Sequence, residues 1–125
     1  MKFAKSYCGG HDNVYAGLTD ADTGEAAVPA SRGQSPSAPD DLVVARFNDV
    51  EMIERILADA VERDVAAVLI GPVMSNAGVE SPAPDFLRTL RSRCDRHGVV
   101  LVYDEVIAGF RIARGGAAGR TRSTR

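Results

Sequence analysis

"VVLVYDEVIAGFR", residues 99–111, sets an unbroken apolar run against two adjacent carboxylates. Val99 to Tyr103, with three β-branched valines, reads as a buried strand. Asp104 and Glu105 stop it abruptly, where an unpaired charge facing a core is expensive. A carboxylate in that place implies a partner: a helix cap, a surface ion pair or a ligand.

The flanking sequence fixes the context. Upstream, Asp85 to His97 carries Phe86, Leu87, Leu90 and Cys94 on one helical face, and Gly98 stands where a helix C-cap belongs. Before it, Val65 to Ile70 forms a second apolar strand, followed by the loop "GPVMSNAGVESPAP". Earlier still, Met52, Ile53, Ile56, Leu57, Ala60 and Val61 recur at helical spacing. Asn48, with Glu51 three residues on, predicts the N-cap of that helix. Leu42 to Phe47 reads as a third strand. Strand, helix, strand, helix, strand, with uninterrupted apolar strands, predicts an α/β fold: a parallel sheet with helices on its faces.

The ends are less regular. Residues 1–18 mix Gly, His, Asp and aromatics without periodicity and read as a short element followed by loop. Residues 19–41, rich in Gly, Pro, Ser, Ala and Asp, read as a loop excursion. From Arg111 to the last residue there are five arginines and no acid, so residues 118–125 read as a basic, disordered tail. The expected organisation is one partial domain over 1–117 followed by that tail.

Composition bounds the function. The 125 residues are 45% hydrophobic and 26% charged, in the range of ordinary globular protein. A net charge of -2 argues against a nucleic-acid partner. No apolar stretch approaches the roughly 18–20 residues of a membrane span. Cys8 and Cys94 are far apart with no metal-ligand spacing, so free thiols, no metal site and a cytoplasmic location are expected. The only lysines are Lys2 and Lys5.

Ligands of open parallel sheets bind beyond the carboxyl ends of the strands. Asp104 stands at such an end, and "GPVMSNAG" follows another. No GxGxxG or GxxxxGK[ST] follows any strand, which argues against a small domain binding phosphate or nucleotide there.

"AAVLIGPVMSNAGVESPAPDFLRTLRSRCDRHGVVLVYDEVIAGFRIARGGAAG" resembles the central part of class III, pyridoxal-phosphate-dependent aminotransferases, and is most like the glutamate-1-semialdehyde 2,1-aminomutase branch. "KFAKSYCGGHD" and "ARFNDVEMIERIL" match further segments of that branch in the same order. The resemblance implies part of the large domain of the aspartate-aminotransferase-like, fold type I architecture. In such enzymes an aspartate holds the proton on the cofactor's pyridine nitrogen. By resemblance Asp104 has that role, Val106 packs on one ring face, Tyr7 stacks on the other, and Asn76 hydrogen-bonds the ring's 3-hydroxyl. From the residues alone, Val106 is equally a core valine, Tyr7 an edge-covering aromatic and Asn76 a turn residue. Glu105 reads as a structural hydrogen-bond partner rather than a base. His97 reads as a helix C-terminal residue placed favourably in the dipole.

Three departures stand out. Cys8 follows the aromatic where the family has His, and Gly71 precedes Pro72 where it has Glu. The family's Schiff-base lysine, which lies further along, has no counterpart in these 125 residues. The resemblance implies an internal piece of an enzyme acting on an amino acid or amino-ketone, homodimeric in the family. Alone, this chain is expected to be inactive and to hold pyridoxal 5'-phosphate weakly at best. The alternative is a non-catalytic binding or regulatory module that pairs with a full-length paralogue.

Overall fold

The computed structural model describes residues 1–18 and 27–121. Its framework is two parallel strand pairs. β1 (Lys2–Phe3) pairs with β4 (Val44–Ala45), and β5 (Ala67–Ile70) with β6 (Val100–Tyr103). The pairs meet at residue 1: its nitrogen donates to the Ala67 carbonyl at 2.7 Å, and its carbonyl accepts from the Leu69 N–H at 3.0 Å. Bonds from one residue to two residues two apart are the parallel ladder pattern. The strands therefore lie in the order β4-β1-β5-β6, all running one way.

Two helices cover one face of this sheet. α1 (Val50–Ala58) buries Met52, Ile53, Ile56 and Leu57, and α2 (Phe86–His97) buries Phe86, Leu87, Leu90 and Cys94. Alternate sheet residues, Phe3, Ala45, Val68 and Ile70, meet them in one core. Phe3, Phe47 and Phe86 pack edge to face, with centroids 5.1–6.1 Å apart, and join β1, the turn before α1 and the start of α2. α2 ends at Gly98, whose φ of +69° lets its N–H turn back onto the Asp95 and Cys94 carbonyls, as expected of a C-cap glycine.

Several sequence expectations change. The N-cap of α1 is Asp49, whose carboxylate accepts from the Met52 N–H at 2.9 Å. Asn48 instead adopts φ +64°, and its side chain binds the Ala83 N–H (2.8 Å) and the Ser81 carbonyl (3.3 Å), tying the loop before α2 to the start of α1. Because α1 ends at Ala58, Ala60 is buried by the following turn while Val61 leaves the apolar face and is 87% exposed. The 19–41 excursion is not loop throughout: β3 (Ala27–Pro29) pairs antiparallel with β2 (Ala16–Leu18). Residues 19–26 of that reading lie outside the described residues.

A sheet with helices on its faces and a buried final strand was expected. Among the described residues α1 and α2 lie on one face, and along β6 the other face is open, with Val100 and Val102 60% and 42% exposed. At the other edge the same face is closed. Lys2 and Val44 are buried there, and Lys2 Nζ donates to the Val14 carbonyl at 2.9 Å. Beyond β6, α3 (Gly109–Ile112) and α4 (Gly116–Thr121) form a helical hairpin. The tail expected from 118 is thus helical to 121. The Glu105 carboxylate binds the first free amides of α4 and offsets the segment's poor apolar content. Residues 122–125 lie outside the described residues. No described helix is long and apolar enough to cross a membrane.

Candidate functional site

With β1, β5 and β6 parallel, the loops that follow them emerge at one edge. Ser6 to Gly9 follow β1, Gly71 to Asn76 follow β5, and Asp104 to Ala108 follow β6. Together they enclose a cavity of about 340 Å³, at the lower end of the range typical of small-molecule sites. Its place beyond the carboxyl ends of the strands is where open α/β sheets bind ligands.

Asp104 is the first residue past β6. Its N–H donates to the Ile70 carbonyl at 2.8 Å and carries the β5–β6 ladder to the cavity's rim. One carboxylate oxygen, Oδ1, accepts from the Val106 N–H at 3.1 Å, a local turn that fixes the side chain. The other oxygen has no protein partner among the described residues. The charge at the strand end is therefore half-buried, held at one oxygen and open at the other.

Asn76 holds two of the loops together. Its Nδ2 donates to the Lys5 carbonyl at 2.6 Å, linking the loop after β5 to the loop after β1. Its Oδ1 accepts no hydrogen bond from the described residues. Tyr7 lies across the cavity from the β5 and β6 loops, 58% exposed, with its ring edge-to-face against Tyr15 at 6.4 Å. Val106 lines the cavity and is 92% exposed, so it is a wall residue and not the core valine that the apolar pattern allows. All four residues singled out from the sequence, Tyr7, Asn76, Asp104 and Val106, thus face one cavity.

Glu105 points elsewhere. Its two oxygens accept from the N–H groups of Ala117 (2.7 Å) and Ala118 (3.2 Å), so it is the structural hydrogen-bond partner expected. Gly116, at φ +66°, passes so close that any Cβ would collide with that carboxylate. Glu105 thereby ties α4 back to the strand end and braces the segment carrying Val106, Ile107 and Ala108.

Sequence reading missed Ser6, Met74, Ser75, Ile107 and Ala108 as lining residues. Each sits within two positions of a residue that was singled out, so strand-end position was the available signal. Ser6 Oγ lies 3.2 Å from Cys8 Sγ. Burial lowers the pKa of Lys2, with the neighbouring Cys8 sulfur pulling the other way. Neither Lys2 nor Lys5 lines the cavity. His97 ends α2 as expected. Among the described residues no three potential metal ligands converge.

The family model described as Aminotransferase class-III matches residues 1–121. The chain is 42% identical over 117 residues to glutamate-1-semialdehyde 2,1-aminomutase of Hyperthermus butylicus, and 40% identical over 119 residues to that of Desulforamulus reducens. Each match covers 94% of this chain and 27% of the relative's length. Among solved structures, an omega-transaminase from Sphaerobacter thermophilus superposes with a TM-score of 0.80 at 31% identity, over 97% of this chain and 28% of that one. A glutamate-1-semialdehyde aminomutase from Pseudomonas aeruginosa PAO1 gives 0.75 at 33% identity, over 95% and 25%. A lysine-to-alanine variant of the Pseudomonas protein, solved in complex with PMP, gives 0.71. The chain thus spans about a quarter of the length of the relatives it matches, and its α/β fold with parallel strands is part of their domain.

Proposed function

This chain belongs to the class-III aminotransferase family, and we propose that its strand-end cavity is the ring-binding wall of a pyridoxal-phosphate site. The whole protein of which such a wall is part would be an aminotransferase or aminomutase of the glutamate-1-semialdehyde type. The observation that carries this reading is the convergence of Tyr7, Asn76, Asp104 and Val106 on one cavity.

The residues fit the group. Asp104 offers a fixed carboxylate with one oxygen open, the partner a protonated ring nitrogen needs. Val106 and Tyr7 offer an aliphatic and an aromatic surface for the ring faces, and Asn76 Oδ1 offers an acceptor for a ring hydroxyl. The cofactor, when bound, supplies a pyridinium ring that takes up the electrons left behind as a proton leaves the substrate carbon. This chain's part is to orient that ring and keep its nitrogen protonated. A charge-assisted hydrogen bond of this kind contributes about 1.5–3 kcal/mol.

The reading implies what the chain does not do. A lysine that holds the cofactor's aldehyde is needed for turnover, and the only two lysines lie off the cavity, Lys2 buried and bonded to Val14. Gly71 has room for a side chain, since a Cβ there meets only ordinary contacts. We assign to the whole protein an amino-acid or amino-ketone substrate, a homodimer and a cytoplasmic location.

Incubated with pyridoxal 5'-phosphate, an amino donor and a 2-oxo-acid acceptor, the purified chain is expected to give no turnover above free cofactor. Tyr7→Ala and Asn76→Ala are each expected to weaken binding of pyridoxamine 5'-phosphate several-fold, read by calorimetry. Turnover by the chain alone, or unchanged binding in both variants, contradicts the reading.

A further inference from the structure

A second cavity adjoins the loop that carries Asn76. Its volume is about 210 Å³, below the roughly 300–1,000 Å³ of drug-sized ligand sites, which suits one small molecule. Leu18, Phe47 and Met74 give it apolar surface, and Lys5, Arg46 and Glu80 give it charge. Arg46 is held by Asp49, at 3.0 Å from Nε and 2.9 Å from an outer nitrogen. Lys5 and Glu80 differ from it. No ion pair joins them, and among the described residues neither the Lys5 ammonium nor the Glu80 carboxylate has a partner.

The charges restrict the occupant. An anion would be repelled by Glu80, and a cation by Lys5 and Arg46. A neutral apolar molecule would strip water from two charges and give neither a partner. A small molecule that carries both charges, with an apolar group for Phe47 and Met74, meets all three conditions. We propose that this cavity is a second small-molecule site, which takes a free amino acid with an apolar side chain and thereby steadies the Asn76 loop. The ligand's carboxylate lies on Lys5 and its ammonium on Glu80.

The stems of that loop explain the second effect. Met74 and Glu80 form an antiparallel bridge: the Met74 N–H donates to the Glu80 carbonyl at 2.9 Å, and the Glu80 N–H to the Met74 carbonyl at 3.3 Å. Between them Asn76 donates to the Lys5 carbonyl at 2.6 Å. Met74 also lines the strand-end cavity, so the two cavities share a wall. Val79, a β-branched residue, holds φ +60°, a conformation that persists only where its surroundings impose it. A ligand drawn between Lys5 and Glu80 joins the loop's anchors from the side chains as the bridge joins them from the backbone. This site stands on its own cavity and does not rest on cofactor binding at Asp104.

The full chain is titrated by calorimetry with L-leucine, with isocaproate, which lacks the ammonium, and with isoamylamine, which lacks the carboxylate. Leucine is expected to bind saturably and each analogue several-fold more weakly, since each forfeits one charge-assisted contact. Lys5→Met and Glu80→Gln are each expected to weaken leucine binding several-fold. Lys5 is exposed and Glu80 half-buried, and circular dichroism checks that both variants keep the fold. Amide hydrogen exchange across residues 75–79 is expected to slow several-fold with leucine bound. No saturable binding at millimolar leucine, an analogue that binds as well as leucine, unchanged affinity in either variant, or unchanged exchange in the loop overturns the proposal. Pyridoxamine 5'-phosphate is left out of these titrations, so their failure and failure of the Asp104 wall are separate results.

Discussion

Asp104 and Glu105 are neighbours with different tasks, and the backbone decides which does which. Asp104 leaves the strand on the cavity side, where one oxygen is held by the Val106 N–H and the other is open. Glu105 turns to the opposite side and closes the start of α4 through Ala117 and Ala118. The second arrangement is testable on its own. Gly116→Ala pushes a methyl into the Glu105 carboxylate at a positive φ, so it is expected to destabilise the chain by about 1–3 kcal/mol, seen as a lower urea midpoint. Glu105→Ala removes the same clamp, and in that background the additional effect of Gly116→Ala should shrink. Additive losses would show that the two residues do not act on one contact. That Asp104 and Val106 line the strand-end cavity was legible from the Asp-Glu-Val pattern at a strand's carboxyl end. Glu105's partners were not, because nothing in a basic, Ala/Gly-rich stretch announces a helix until a distant carboxylate caps it.

At the scale of elements, α1 was legible from its apolar spacing, but its start was displaced by one residue. Asn48 and Asp49 are both good N-cap types. Asn48 is diverted because its amide is used between Ser81 and Ala83, in a loop whose proximity no local pattern reveals. Asp49 then caps the helix. The Met52 N–H, and after it the Arg46 guanidinium, lower the Asp49 carboxyl pKa, with burial opposing. Its folded pKa lies below its unfolded value of about 3.9. Its stabilisation is therefore complete above that value and is lost as pH falls through the folded one. Thermal melts should show stability dropping below about pH 4. Asp49→Ala should lower stability by about 1 kcal/mol near neutrality and flatten that acid limb. An acid limb unchanged in the variant would mean that other carboxylates carry it. The open side of β6 escaped sequence reading for a related reason: an all-apolar strand looks the same whether its second face meets a helix or water.

At the scale of the molecule, the parallel order β4-β1-β5-β6 explains why residues at 7, 76, 104 and 106 share one cavity. Three strands running one way must deliver their following loops to the same edge, so the site is a consequence of topology. That much was legible, because apolar strands alternating with amphipathic helices permit few other arrangements. What local pattern could not disclose was that α1 and α2 both lie on one side of the sheet. The central claim is that Asp104 is the partner of a protonated pyridine nitrogen. Pyridoxamine 5'-phosphate is the right probe, since it lacks an aldehyde and cannot react with lysines. Calorimetric titration of the wild-type chain, Asp104→Asn and the exposed control Asp41→Asn compares a carboxylate with its neutral isostere. The account predicts binding at least about tenfold weaker in Asp104→Asn, as loss of a charge-assisted hydrogen bond requires, with the control unchanged. Equal affinity in Asp104→Asn and wild type would contradict it.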